Sequence, residues 1–144
     1  MADCPFCLIV AGDTQAYEVL RTPLVCGFLD IRPVFKGHVL VVPTQHLTTL
    51  ADAPGALIEP LFTQVQRVSQ AVIDGLGAQG SFVAVNNTVS QTVPHLHVHV
   101  VPRSKGDGLR GFFWPRVKYA DGEAERYAAR LRAALGDRDG TFDE

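Results

Sequence analysis

The sequence predicts an α+β fold in which an antiparallel sheet carries a helix on one face, with a further helix near the C-terminus. Three observations support this: short apolar runs typical of hairpin strands in the first part, one long helical repeat, and an alternating strand after it. The predicted order is β-β-β-α-β-β-α. One face of the sheet is then left free for a functional site.

Three strands are predicted before the long helix. Residues 17–20 and 24–29 are apolar runs on either side of Thr22-Pro23, as in a hairpin. Residues 38–43 (HVLVVP) predict a fully buried strand, which the chain enters through the turn signal Lys36-Gly37.

The long helix is indicated by apolar residues that recur at spacings of three and four and so form one helical face. These residues are Leu57, Leu61, Val65, Val68, Val72 and Leu76. Asp52 is a candidate cap, with Pro54 tolerated near the first turn. Gly75 and Gly77 predict the end of the helix.

Two more strands and a helix follow. Strands are predicted at residues 81–85 and 93–101, with Asn86-Asn87 as turn residues and Pro102 as the stop of the last strand. The Ala- and Arg-rich residues 123–135 predict a helix. We expect a single domain over residues 1–144, with a core at 4–108 and a C-terminal extension at 109–144.

Composition narrows the functional classes. The 144 residues are 47% hydrophobic and 19% charged, which is typical of a globular protein, and the formal net charge of −2 argues against general nucleic-acid binding. No run approaches the roughly 18 apolar residues of a membrane span. The first 13 residues lack a signal-peptide pattern, and three cysteines make an odd count, so we expect a cytoplasmic protein.

Three of the five histidines stand in the segment PHLHVHVVPR, residues 94–103. Side chains alternate across a strand, so His95, His97 and His99 are predicted to share one face while the apolar residues between them face the core. Strand positions i and i+4 lie about 13 Å apart, so neighbouring histidines could share an ion, but convergence of all three on one ion from a straight strand is poor geometry. At least one of them should remain free as a nucleophile, acid or base. His97 lies between the other two and is the best candidate for the nucleophile.

The segment resembles the motif of the histidine-triad (HIT) superfamily, in which three histidines alternate with apolar residues and two further apolar residues follow. His95-Leu96-His97-Val98-His99-Val100-Val101 matches it at every position. The similarity extends over about residues 4–108. It includes Asp30-Ile31-Arg32-Pro33, the segment from Lys36 to Pro43, Gln91-Thr92-Val93 and Lys105-Gly106-Asp107-Gly108.

The resemblance implies roles for individual residues. His97 would be the nucleophile that forms a nucleotidyl-histidine intermediate, and His99 would contact the phosphate or assist the leaving group. His95 would orient His97, and His38 would support the triad from the neighbouring strand. The implied nucleotide contacts are Asp30 on the ribose, Asn86, Gln91 and Thr92 near the α-phosphate, and His97 and His99. The implied assembly is a homodimer whose sheets join, acting on a purine nucleotide.

Cys4-Pro5-Phe6-Cys7 is a Cys-x-x-Cys pair. No thioredoxin-like context supports a redox role, so the alternatives are zinc binding and two unmetallated thiols. His46 is a distant candidate ligand or simply an exposed loop histidine. Resemblance to zinc-containing bacterial members of the superfamily makes His95 the fourth ligand. Such an ion would be structural, because Cys4, Cys7, His46 and His95 would fill its tetrahedron.

Five basic residues accompany one acid between residues 103 and 118, and Phe112-Phe113-Trp114 is unusually aromatic for a loop. The loop is either solvated or a patch for extra phosphates, and its aromatic residues suit base stacking or an interface. Three functions remain open. They are a histidine-based hydrolase or transferase of nucleoside phosphoramidates, adenylates or dinucleoside polyphosphates, a zinc-dependent hydrolase, and a nucleotide-binding module without turnover.

Overall fold

The computed structural model describes residues 3–109 and 115–136. The helices and strands are α1 (Pro5–Ala11), β1 (Glu18–Arg21), β2 (Val25–Leu29), β3 (Val39–Pro43), a 3₁₀ turn (Leu50–Asp52), α2 (Gly55–Leu76), β4 (Gly80–Ala84), β5 (Val98–Arg103) and α3 (Glu123–Leu135). The chain forms two compact units, Met1–Asp107 and Gly108–Glu144. The first unit holds the sheet and the second holds α3. A single domain over residues 1–144 stays a prediction.

The five strands form one antiparallel sheet in the order β1-β2-β3-β5-β4. This confirms the predicted α+β class. β5 therefore lies inside the sheet, between β3 and β4. His95 and His97, in the segment that leads into β5, are buried. Within the described part of the chain, no helix combines the length and the apolar character that crossing a membrane requires.

Apolar side chains cover both faces of the sheet. On one face α2 packs through the predicted stripe, with Leu61 fully buried, against Val25, Val41 and Val98. Leu76, the last residue of the predicted stripe, is instead exposed at the end of the helix. On the other face a smaller cluster joins α1 to β2 and β3. Its buried members are Cys4, Phe6, Cys26, Phe28, Leu40 and Val42. The sheet face opposite α2, which was expected to be free, is thus partly covered by α1.

α1 was not predicted, although its end signals are present in the sequence. Cys4 is the N-cap, and its Sγ accepts a hydrogen bond from the backbone N–H of Cys7. Pro5 occupies the first turn, where its missing N–H is no loss. Gly12 ends the helix with φ 84°, the left-handed conformation that glycine adopts without steric penalty.

The predicted strand 93–101 has the wrong boundaries. Pro94 has no N–H to donate, the His95 N–H bonds to the Val93 carbonyl at 2.8 Å, and the Leu96 N–H bonds to the Leu47 carbonyl at 2.6 Å. Regular pairing therefore begins at Val98. The predicted stop at Pro102 is wrong, since β5 continues to Arg103. Pairing with β3 ends at Val100, and Pro102 pairs only with Ser81 of β4.

The predicted cap of the long helix is also wrong. Asp52 accepts the Thr49 backbone N–H at 3.0 Å and so closes the 3₁₀ turn before the helix. α2 begins at Gly55 with Pro54 as N-cap, and Gly77 ends it with φ 73° as expected.

Candidate active site and metal centre

A cavity of about 430 Å³ lies between α1 and the sheet. Phe6, Ile9, Phe28 and Leu40 form much of its apolar wall. The polar groups at the cavity are fewer. Among the predicted nucleotide-binding residues Asp30, Thr92, His97 and His99 line it, whereas Asn86 and Gln91 are not among its lining residues. An apolar pocket with a few convergent polar groups is typical of small-molecule sites.

His97 is held in one orientation and one tautomer. Its ring is only 4% exposed, and Nδ1 lies 2.7 Å from the backbone carbonyl oxygen of His95. A carbonyl only accepts hydrogen bonds, so Nδ1 carries the proton and Nε2 of the neutral ring presents a lone pair. The interaction predicted between His95 and His97 therefore involves the His95 carbonyl. Phe6 meets the His97 ring edge-to-face, with 5.1 Å between ring centroids.

His38 and His99 form a directed chain of hydrogen bonds. Nδ1 of His38 accepts the backbone N–H of Val34 at 3.1 Å, so Nε2 of the neutral ring carries the proton and donates to Nδ1 of His99 at 2.9 Å. His99 must then hold its own proton on Nε2. That nitrogen is buried and has no hydrogen-bond partner among the described residues. A buried donor without a protein partner is unusual in a native structure, and this one is available to an acceptor that enters the cavity, whether water or ligand.

Burial keeps these imidazoles neutral. It is the largest of the causes that together lower the pKa of His99 to about 4. Repulsion from His97 and His38 in their protonated forms adds to the shift, and the Asp30 carboxylate opposes it. Burial also lowers the pKa of His38, although the carboxylate of Asp30, 3.8 Å from its Nε2, opposes that shift. At neutral pH His99 is therefore a neutral hydrogen-bond donor.

The loop that follows β4 carries strained backbone. Thr88 and Ser90 have positive φ of 70° and 63°, which are sparsely populated conformations for residues other than glycine. Gln91 spans the loop, since its Oε1 accepts the Thr88 N–H at 2.9 Å and its Nε2 donates to the Thr48 carbonyl at 2.6 Å. Asn86 is exposed. Phosphate contacts by Gln91 and Asn86 stay predictions.

A second group of side chains brings together the four residues predicted as metal ligands, Cys4, Cys7, His46 and His95. Nδ1 of His95 lies 3.4 Å from Cys4 Sγ and 3.5 Å from Cys7 Sγ, and Nδ1 of His46 lies 3.2 Å from Cys7 Sγ. A tetrahedral zinc ion, with bonds of about 2.3 Å to sulfur and 2.0 Å to nitrogen, separates such atoms by about 3.5 Å. These residues can hold a metal ion.

Proton positions also fit a metal at this cluster. Nε2 of His95 lies 2.9 Å from the Pro43 carbonyl oxygen and therefore carries the ring proton. Nδ1 then directs its lone pair at the two thiols, as in the carbonyl-oriented histidine ligands of metal sites. Burial, followed by the hydrogen bond to Cys4, raises the pKa of the Cys7 thiol. A reactive redox cysteine needs the opposite shift, so this direction does not favour Cys7 as a redox nucleophile.

Asp30, His38 and His99 also place three ligand atoms close together. A metal there would need a lone pair on Nε2 of His38. That nitrogen carries the ring proton, because Nδ1 already accepts the Val34 N–H. Asp30 is itself engaged, since its Oδ1 accepts the Arg32 N–H at 2.8 Å. The hydrogen-bond pattern at this cluster favours proton-bearing imidazoles over a metal.

Part of the basic loop is described. Arg103 forms two contacts with the Asp107 carboxylate, at 2.6 and 3.2 Å, which neutralise part of the positive charge. Arg110 and Phe112-Phe113-Trp114 lie outside the described residues, so the predicted stacking or interface role of the aromatic residues stays a prediction.

Comparisons with known proteins agree with this geometry. The family model described as the HIT domain matches residues 12–106. An uncharacterised HIT-like protein of Mycobacterium tuberculosis is 33% identical over 141 residues, which cover 94% of this chain and 95% of that protein. Adenosine 5'-monophosphoramidase of Schizosaccharomyces pombe is 32% identical over 134 residues, which cover 92% of this chain and 98% of that enzyme.

Solved structures share the fold. A member of the HIT family from Bacillus subtilis superposes with a TM-score of 0.85 at 32% identity, over 93% of this chain and 98% of that one. A zinc-bound histidine triad family protein from Mycobacterium smegmatis superposes with a TM-score of 0.72 at 36% identity, over 92% of this chain and 98% of that one.

We expect the stability of the protein to fall in acid through His99. Its pKa is about 4 in the folded chain and about 6.5 in an unfolded one, so between these values the unfolded state binds more protons. The stabilisation is complete above about pH 6.5 and is lost as the pH falls towards 4. The free energy of unfolding should be measured with denaturant at several pH values in this range, for wild type and for His99→Gln. It should vary less steeply with pH in the variant, and the difference in slope should correspond to up to about one proton taken up on unfolding.

Both proteins should be measured with the same metal content, so that loss of metal in acid contributes equally. Equal slopes for wild type and His99→Gln would contradict the assignment of this pKa shift.

Proposed function

The chain belongs to the HIT-domain family, and on that premise we propose that it is a nucleotide hydrolase or transferase that uses His97 as a covalent nucleophile. The bond cleaved joins the α-phosphate to the leaving group of a nucleoside phosphoramidate, an adenylate or a dinucleoside polyphosphate. Relatives named as adenosine 5'-monophosphoramidase, adenylylsulfatase and bis(5'-nucleosyl)-tetraphosphatase support this range of substrates. The chain covers about half of the latter two proteins, 55% and 49%.

The observation that best supports this proposal is that an imidazole lone pair and an imidazole N–H, on neighbouring histidines, are both without a partner in the part of the chain that the structure describes. Nε2 of His97 has the lone pair, and Nε2 of His99 has a buried proton with no partner among the described residues. The two rings are 5.0 Å apart by their centroids, and both line the cavity. This spacing suits a nucleophile beside a donor that stabilises charge on phosphate oxygens or on the leaving group.

The first displacement forms a bond from Nε2 of His97 to the α-phosphorus and breaks the bond from phosphorus to the leaving group, which keeps the electron pair. A phosphate, sulfate or carboxylate leaves as the anion, whereas an amine leaving group also takes up a proton from solvent. The modified imidazole is then cationic, with its remaining proton on Nδ1. The His95 carbonyl, 2.7 Å from that nitrogen, stabilises this charge. The Nε2–H of His99 donates a hydrogen bond to the phosphate or the leaving group. His38 keeps His99 in the donor tautomer.

The second displacement returns the enzyme to its starting state. A water oxygen attacks phosphorus, the bond from phosphorus to Nε2 breaks, and the imidazole recovers its lone pair. The nucleoside monophosphate leaves, and the extra proton of the water goes to solvent. Asp30 and Thr92 border the cavity where the nucleoside and its phosphate would lie, which supports their proposed contacts.

We also propose that Cys4, Cys7, His46 and His95 hold a structural zinc ion. Their ligand atoms lie within 4.8 Å of one another, and the zinc-bound relative from Mycobacterium smegmatis supports the choice of metal. Four protein ligands leave no open position for a water, so the ion would orient residues rather than generate hydroxide.

A homodimer in the cytoplasm completes the proposal. β4 is an edge strand with Val83 exposed, which is a surface that a second sheet can extend. The three described cysteines are all free, which suits a reducing compartment. Neither a nucleic acid nor a membrane is proposed as a partner.

We predict that His97→Ala binds nucleotide but loses at least about 10³-fold in turnover, because the covalent route is removed. The measurement is release of the monophosphate from a panel of adenosine and guanosine substrates. Wild type quenched during turnover at alkaline pH, where a phosphorus–nitrogen bond survives, should show a nucleotidyl adduct on His97 by mass spectrometry. His97→Asn is a second variant of similar volume. Near-normal turnover in both variants would sink the mechanism.

The stereochemical course separates histidine catalysis from metal-bound water. Two in-line displacements each invert the α-phosphorus and together retain its configuration, whereas direct attack by a zinc-bound hydroxide inverts it once. Hydrolysis of a substrate made chiral at the α-phosphorus by sulfur substitution, in isotopically labelled water, should give retention. Inversion would favour the zinc-dependent hydrolase, and absence of turnover with every substrate would favour a binding module.

We expect close to one zinc ion per chain in protein purified without chelators. Cys7→Ser should lose most of the metal and unfold at a lower temperature, because structural zinc contributes about 10 kcal/mol in zinc-finger peptides. Cys26→Ala is the matched control, since Cys26 is a buried thiol outside the ligand group and this variant should keep its zinc. Wild type with no zinc by metal analysis would reject the site.

A further inference from the structure

One seven-residue helix serves both the metal cluster and the cavity. α1 runs from Pro5 to Ala11, with Cys4 as its N-cap and Cys7 in its first turn. Pro5, Phe6, Leu8 and Ile9 line the cavity. A helix this short is unstable alone in water, so its position depends on what fixes its side chains.

Phe6 connects the two sites directly. It lies between the two cysteines in sequence and is only 8% exposed. Its ring meets the His95 ring, at a centroid distance of 6.0 Å, and the His97 ring, at 5.1 Å, both edge-to-face. Ligation of Cys4 and Cys7 would fix the backbone on both sides of Phe6 and so hold this ring against the nucleophile.

We propose, resting on the proposed function, that metal binding and nucleotide binding are energetically coupled through α1, with Phe6 as the positioning residue that carries the coupling. The metal orders the cavity wall before the nucleotide arrives. The nucleotide therefore loses less free energy to ordering that wall when the metal is present. By linkage, nucleotide tightens metal binding by the same factor.

The strand side of the cavity offers a matched control. Leu40 lines the cavity from β3 and belongs to the same apolar cluster as Phe6, but it is not part of the segment that bears Cys4 and Cys7. A substitution at Leu40 changes the pocket while leaving both cysteine ligands and Phe6 in place. Its effect on nucleotide affinity should be the same with and without metal.

The test measures the dissociation constant of AMP by calorimetry, under reducing conditions, for protein loaded with Zn²⁺ and for protein freed of metal, with circular dichroism to confirm folding. We expect AMP to bind about tenfold more tightly to the zinc form, and a competing chelator to report zinc held more tightly by the same factor at saturating AMP. Phe6→Leu should keep zinc but bring both factors close to one. Leu40→Val should weaken AMP binding in both forms and leave the factors unchanged.

Equal AMP affinity in the two folded forms of wild type would overturn the coupling, as would a Phe6→Leu variant that keeps the full factor. AMP is a product-like ligand and needs no turnover, so loss of catalysis does not affect this result. Failure of AMP to bind either form would overturn both the nucleotide site and the coupling. Coupling without turnover would leave the inference intact and reject only the catalytic proposal.

Discussion

The arrangement of the site depends on three of the four hydrogen-bonding groups of His95, namely its two ring nitrogens and its backbone carbonyl, each of which has a different partner. Nε2–H donates to the Pro43 carbonyl of β3 at 2.9 Å, Nδ1 directs a lone pair at the thiols of α1, and the backbone carbonyl accepts the Nδ1–H of His97 at 2.7 Å. Each partner fixes the role of the group it contacts, because a carbonyl only accepts and a neutral imidazole has one donor and one acceptor. The position of one residue thereby sets the tautomer of His97, the proposed nucleophile.

This arrangement requires the backbone around His95 to leave the sheet. A regular strand would use the His95 carbonyl in a ladder hydrogen bond, whereas Pro94 and the tight bond from the His95 N–H to Val93 interrupt the strand here. The fully buried Leu96 anchors the irregular segment by donating its N–H to Leu47 and by packing with the α2 cluster. The irregularity is therefore compensated in the core, and it supplies the acceptor for His97.

Sequence patterns predicted the regular parts of this molecule well and the irregular parts poorly. The strands follow from apolar runs and turn signals, α2 from periodicity and α3 from its Ala- and Arg-rich composition. The alternation of apolar and histidine residues correctly placed Leu96, Val98 and Val100 in the core. Periodicity does not report where strand pairing begins, so the start of β5 was wrong. α1 was missed because its seven residues are too few for a helical repeat, although Pro5 and Gly12 marked its ends.

At the candidate site too, the sequence predicts which residues are involved, whereas the structure is needed to show how each one is hydrogen-bonded. The sequence predicted which histidines and cysteines form the site, and the four candidate metal ligands do lie together. It could not reveal which nitrogen of each ring is protonated, because that depends on acceptors distant in sequence, such as Pro43 for His95 and Val34 for His38. These backbone groups give the histidines of the two clusters different protonated nitrogens. At the cysteine cluster the lone pair on Nδ1 of His95 faces two thiols, as metal binding requires. At the other cluster Nε2 of His38 donates its proton in a hydrogen bond to His99 and has no lone pair for a metal. The chain can thus hold a metal at one end of the histidine segment and keep protonated donors at the other, only a few residues away.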